Sequence, residues 1–283
     1  MEEVTSLLIQ HEWRIIDHSG IGLLSNPIDS FATDDTLCES VGSGLSPAVA
    51  RTWVHRPYIS LGIQDVRLPH LRDGLQFLRE QGYGWIVRTS GGLAVVLDEG
   101  ILNITLIFPE REKGIDINRG YEAMYRFVQD MFQDVTDEIE AKEIHGSYCP
   151  GSYDLSINGK KFAGISQRRL KHGVAVQMYM AVSGSGGKRA ELVRQFYERS
   201  VKGEPTKFDY PKIQPEVMAS LTELLQTEFT IEQCMGRFLR TLQTFSKRTL
   251  YNSELTPVER DRYEHYLTRI LDRNDKWLPK MNG

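Results

Sequence analysis

Hydrophobic positions along this chain change period several times, and each change marks an element. Leu71, Leu75 and Leu78 recur at helical spacing, so residues 69–81 are predicted to form a helix opened by Pro69 and ended by Gly82. Tyr121, Met124, Val128 and Met131 predict another over 119–132. Residues 30–44 read as a helix capped by Ser30, with Phe31, Leu37 and Val41 on its buried side. Ser46-Pro47 reads as a further helix start, an N-cap followed by proline at the first helical position. Short apolar runs at 58–63, 85–89, 93–97 and 102–108 have strand character.

The pattern then switches to period two. Tyr153, Leu155 and Ile157 alternate with Asp154 and Ser156, and Asn158-Gly159 follows as a hairpin turn, because both residues accept positive φ. Residues 160–165 are the returning strand and His172-Gly173 a second turn. A third strand spans 174–182, with Val174, Val176, Met178 and Met180 on one face. Helical spacing resumes after 184–187 and runs to about residue 199. Beyond Pro215, Val217, Leu221, Leu224 and Leu225 fall on one side of a helical segment. Thr230 with Gln233 and Thr256 with Glu259 form two capping boxes, the second with Pro257 at the first helical position. Helices, then strands, then helices predict an α/β (α+β) fold, a mixed β-sheet flanked by helices, in one domain over 1–283 with a helical extension at about 213–283.

Composition narrows the function classes. Hydrophobic residues make up 40% and charged residues 25%, as in a soluble globular protein. With 34 basic against 38 acidic residues there is no cationic excess of the kind nucleic-acid binding needs. The chain starts with Glu2-Glu3 rather than a basic segment, and no run approaches the roughly 18 apolar residues of a membrane span. A cytoplasmic protein is expected, with neither nucleic acid nor membrane as partner. Three cysteines, Cys38, Cys149 and Cys234, lie far apart with no C-x-x-C pair, so neither a disulfide framework nor a metal site is expected.

Two places carry candidate chemistry. Gly91-Gly92, between two strands, suits either a tight turn or a loop that brings backbone N–H groups close to a ligand. Cys149 sits among Gly, Ser, Tyr and Pro, where it is either a small turn residue or a thiol activated by Lys160 or Lys161. Lys161 falls opposite Ser156 across the hairpin, so contact with Cys149 needs residues 146–152 to fold back over the strands. His145 lies four residues before Cys149, with no Asn or Asp placed to orient it. Cys38 and Cys234 have apolar neighbours in helical patterns and read as core. No Walker, H-E-x-x-H, G-x-S-x-G or G-x-G-x-x-G motif is present.

Four segments in order resemble one family, the lipoate-protein ligase, octanoyltransferase and biotin-protein ligase group. They are Phe31-Ala-Thr-Asp-Asp35, then Arg51-x-Trp53 with Ser60-Leu-Gly62-x-Gln64, then Arg88-x-Ser-Gly-Gly-x-Ala-Val-x-Leu-Asp98, and Asp154-Leu-Ser-Ile-Asn-Gly-Lys-Lys161-Phe-Ala-Gly164-Ile-Ser166-Gln167. Leu93 stands where the family loop has a third glycine, and Leu97 where it has a histidine. Cys149 ahead of the Asp154 strand is similar to the cysteine-dependent amidotransferases of the group. The resemblance implies a biotin/lipoate-ligase-like catalytic core at about 28–200. It implies transfer of an octanoyl or lipoyl group from the glycine cleavage system H protein to lipoyl domains of 2-oxoacid dehydrogenase complexes, without a cofactor.

It further implies that Cys149 carries the acyl group as a thioester and that Lys161, rather than Lys160, lowers the thiol pKa. Acyl-binding positions would be Arg88, Ser90, Gly91, Gly92, Ala94, Val95, Ala163, Gly164 and Ser166. Two related activities share the pattern: octanoyl transfer from acyl carrier protein to H protein, and ATP-dependent lipoate ligation. A non-catalytic lipoyl-domain binding protein would have little use for both Cys149 and Lys161.

Overall fold

The computed structural model describes residues 6–20, 26–110 and 114–280. The acidic start at Glu2-Glu3 and the last three residues of the predicted extension lie outside the described residues. The strands are β1 (Arg14–His18), β2 (Val49–Trp53), β3 (Tyr58–Leu61), β4 (Gly84–Val87), β5 (Val95–Leu97), β6 (Ile101–Pro109), β7 (Glu140–Ala141), β8 (Leu155–Ile157), β9 (Lys160–Leu170), β10 (Gly173–Ala181) and β11 (Tyr251–Asn252). The helices are α1 (Pro27–Gly42), α2 (Leu71–Glu80), α3 (Ile117–Phe132), α4 (Gly186–Val201), α5 (Leu221–Leu225), α6 (Ile231–Thr244) and α7 (Pro257–Trp277).

Eight strands form one sheet in the order β11-β1-β2-β6-β10-β9-β8-β7, and β4-β3-β5 form a second. The large sheet is mixed: β1 runs parallel to β2 and β11, and the rest pair antiparallel. Helices α3 and α6 cover one face, where Phe127, Phe238, Val176 and Met178 share a core. α1 packs against the opposite face, where Leu37, Val41, Val49, Ile107 and Ala175 meet. β10 is therefore buried on both faces, not only on the face carrying Val174, Val176, Met178 and Met180. The same holds for Asp154 to Ile157, all buried despite their polar alternation.

Three local expectations are corrected. α1 begins at Pro27, capped by Asn26 in a reciprocal box with Asp29, while Ser30 lies inside the helix. Proline preset for the first helical turn and a cap with a carboxylate three residues on outcompete the later serine. Ser46-Pro47 opens no helix. It leads into β2, whose residues are all buried between β1 and β6 and leave no polar face for a helix. The β9–β10 turn falls on Lys171 and His172, at φ of 50° and 63°, so Gly173 already belongs to β10.

The predicted extension is built into the fold. Ala219 N–H donates to Lys161 O at 3.0 Å, and Phe238 packs edge-on to Phe127. Asn274 of α7 completes the free edge of β4. Its Oδ1 accepts from Val87 N–H at 2.7 Å and its Nδ2 donates to Val87 O at 3.2 Å. Asn274→Ala would leave that buried amide unpaired. It is expected to lower unfolding stability by about 1–3 kcal/mol, read from the urea midpoint.

Candidate active site

Asn158 and Gly159 take φ values of 51° and 74°, the double positive φ of the predicted tight hairpin. The register places Lys161 opposite Ser156, and a bulge follows, because Leu155 pairs with Ala163. Lys161 is fully buried. Its Nζ pairs with Asp154 Oδ1 at 2.8 Å and donates to Tyr148 O at 3.0 Å, Cys149 O at 2.9 Å and Ser147 Oγ at 3.3 Å. The other Asp154 oxygen accepts from Ile144 N–H and Gly151 N–H, both at 3.2 Å. One buried ion pair thus gathers the segment from 144 to 151 over the hairpin. Burial pushes the Asp154 carboxyl up, against the opposing pull of Lys161 and these N–H donors.

Cys149 itself takes φ 47°, a left-handed conformation unusual for a residue with a side chain. Its sulfur meets the glycine loop, accepting from Leu93 N–H at 3.1 Å and Arg88 Nη2 at 3.8 Å. Gly92 has φ 97°, and a Cβ there would stand 2.8 Å from the sulfur. Either reading of Gly91-Gly92, turn or close approach, would use glycine. Here the loop closes directly on the thiol.

Cys149 lines a cavity of about 250 Å³. Arg88, Ser90, Gly91, Gly92, Val95, Gly164 and Ser166 line it too, as do Phe31, Trp53, Leu97 and Met178. Gly164 is needed beneath Tyr179, whose ring a Cβ would meet at 2.6 Å. Ala94 and Ala163 do not line it. Alternation along the strand turns Ala163 into the main core while Gly164 faces the cavity, and Ala94 packs into the core under α2 and α4. Lys161 also lies outside the lining and reaches the site through the Cys149 carbonyl and through Asp154, which does line it. His145 points to solvent beside Glu143 and takes no part. Cys38 and Cys234 are buried, with thiols pushed up to about 12 by burial, and stay inert core residues.

Pattern reading missed several neighbours. Asp65 is fully buried, accepting from Gly62 N–H at 2.8 Å and Tyr197 OH at 2.7 Å, and burial pushes its carboxyl up to about 6. Asp34, within the FATDD segment, pairs with buried Arg51 at 2.7 Å and accepts from Thr105 and Gln177, two cavity-lining residues. The paired acids and the R-x-W element were the available signal for that cluster. Nothing local pointed to Asp65. Among the described residues no group of His, Cys, Asp and Glu could hold a metal ion, and no helix is long and apolar enough to cross a membrane.

Residues 26–243 match the lipoyl protein ligase A/B catalytic domain. The octanoyl-[GcvH]:protein N-octanoyltransferase of Anoxybacillus flavithermus is 55% identical over 276 residues, covering 98% of this chain and 99% of the relative. The lipoyl-[GcvH]:protein N-lipoyltransferase of Listeria monocytogenes is 50% identical over 273 residues, covering 96% and 98%. Among solved structures, lipoate-protein ligase A bound with ATP superposes with a TM-score of 0.69 at 16% identity, over 92% of this chain and 95% of that one. At that identity the likeness speaks for the fold alone.

Proposed function

The chain belongs to the lipoyl protein ligase A/B catalytic domain family, and from that premise we propose that it is an amidotransferase working through Cys149. It moves an octanoyl or lipoyl group from a lysine of the glycine cleavage H protein to a lysine of a lipoyl domain, in the cytoplasm and as one catalytic unit over the whole chain. The names of the near full-length relatives support the donor, and the family resemblance supports the acceptor. The observation that carries the reading is the Cys149 sulfur at the cavity wall, held between two N–H donors on a loop pinned by Lys161 and Asp154.

The thiolate attacks the carbonyl carbon of the donor amide. A C–S bond forms, the C–N bond breaks, and the departing lysine amine takes up one proton. The acceptor lysine amine then attacks the thioester, a C–N bond forms, the thiolate leaves and one proton is released. One amide replaces another, so no ATP is consumed. The Lys161–Asp154 pair suits both proton movements, because Asp154 lines the cavity while bonded to the buried ammonium. The Leu93 N–H, which donates to the sulfur at 3.1 Å, stands beside the carbon that the sulfur attacks and can donate to the developing oxyanion. Burying the methylenes of an octanoyl chain contributes roughly 5 kcal/mol of binding, at about 0.8 kcal/mol each.

The direct test mixes the protein with octanoylated H protein and an apo lipoyl domain, without ATP. The expected result is a lipoyl domain heavier by one octanoyl group in intact mass spectrometry. No transfer without ATP, with adenylate formed from free octanoate once ATP is added, would replace this reading by a ligase.

A further inference from the structure

We propose that Arg88 is the counter-cation of the Cys149 thiolate, while the Lys161–Asp154 pair positions the loop that presents it. This rests on Cys149 being the nucleophile. Five cationic side chains are buried among the described residues: Arg14, Arg51, Arg88, Lys161 and Arg189. Four are paired with carboxylates, Arg14 with Glu259, Arg51 with Asp34, Lys161 with Asp154 and Arg189 with Asp98. Among the described residues no carboxylate forms an ion pair with Arg88. Its guanidinium donates to the neutral carbonyls of Ser60, Gly91 and Leu93, and then to Cys149 Sγ. Asp65 feels the Arg88 charge without forming an ion pair with it, so among the described residues the Cys149 sulfur is the ionisable atom that the guanidinium contacts, and a buried cation is stabilised by an anion there.

The lysine is badly placed for that job. Its charge is already balanced by Asp154 at 2.8 Å, and it touches Cys149 only at the carbonyl oxygen. The glycine loop, by contrast, is shaped around the arginine–sulfur contact. A Cβ on Gly92 would lie 2.6 Å from Arg88 Nη2 and 2.8 Å from the sulfur.

Other titratable groups surround the thiol from every side. Tyr121 of α3, Tyr148 of the loop, Tyr179 of β10 and Tyr197 of α4 are all pushed up by burial and stay neutral. Asp65 carries a negative charge above about pH 6 and is bonded to Gly62 and Tyr197. Asp65 shares the field of Arg88 but is hydrogen-bonded elsewhere, so Arg88 remains the cation in direct contact with the sulfur.

The test follows the rate of Cys149 alkylation by iodoacetamide against pH, resolved by peptide, on the full chain with no acyl donor. Arg88→Gln is expected to raise the midpoint by at least about one pH unit, so alkylation at neutral pH slows about tenfold or more. Arg88→Lys, which keeps the charge, is expected to stay close to the unaltered midpoint. An unchanged midpoint in Arg88→Gln, even with transfer lost, would make Arg88 only a brace for the loop and overturn the proposal. So would an equal rise in both variants. Should Arg88→Gln not fold, the unaltered protein still decides. Its Arg88 Nε–H resonance is expected to shift with the Cys149 midpoint, and a flat resonance across that range rejects the assignment. Because alkylation needs no acyl substrate, failure of the transfer reaction and failure of this assignment are separable.

Discussion

Cys149→Ala is expected to abolish acyl transfer and to leave no acyl-enzyme in intact mass spectrometry. The two other cysteines cannot substitute, since both are buried with thiols pushed up to about 12. Cys149→Ser keeps the shape and the two N–H donors but replaces a thiolate by a hydroxyl that stays protonated. Its transfer rate is expected to fall by on the order of 10⁴ or more, as when other covalent nucleophiles are removed. Circular dichroism and the urea midpoint should be unchanged in both, because the fold holds the loop through Asp154 and Lys161 rather than through the sulfur. A Cys149→Ala protein turning over at the normal rate would remove the thioester from the mechanism altogether.

The largest effect on stability is expected outside the cavity lining. Glu259 of α7 accepts both Arg14 Nη atoms, at 2.7 and 2.8 Å, and Ser40 Oγ at 2.6 Å. It ties the last helix to β1 and α1. Burial pushes its carboxyl up, but these bonds and the Arg14 charge together outweigh that and hold it at about 2, from an ordinary value of 4.5. The sign follows from the depressed value: the contribution is fully present above pH 4.5 and is lost as pH falls through about 2. Its size is of the order of 3 kcal/mol. Glu259→Gln leaves Arg14 buried without its counter-charge, and an unfolding free energy lower by about 3–5 kcal/mol is expected at neutral pH. The mutant should also lose less stability than the parent between pH 4.5 and 2, measured by urea denaturation at each pH. Parallel acid profiles for the two proteins would mean the pair contributes little.

Local signals were legible wherever one short stretch decides its own conformation. Asn158-Gly159 is a hairpin because two adjacent residues tolerate positive φ, and the register Ser156 to Lys161 follows by counting. The boxes at Thr230 and Thr256 formed because a hydroxyl and a Gln or Glu side chain sit three residues apart. Errors arose where two local signals competed, as at Asn26 and Ser30, or where neighbours overrode one, as at Ser46-Pro47 between β1 and β6. Ala94 and Ala163, offered by the resemblance as acyl-binding positions, turn into the core instead. Which face a strand residue presents is settled by the layers stacked on it, and size carries no record of that.

The sequence by itself determined a mixed sheet flanked by helices, the hairpin carrying Lys161, and a single cysteine in a polar loop beside it. Only the tertiary structure decided what each group touches. The lysine meets the carbonyl of a residue twelve positions away and Asp154, while the sulfur turns to an arginine sixty-one positions away. Turn and cap preferences act over a few residues, so a chain read in order displays them. The partner of a buried charge is chosen by whichever opposite charge or dipole the packing brings within about 3–4 Å, and that depends on all the layers at once.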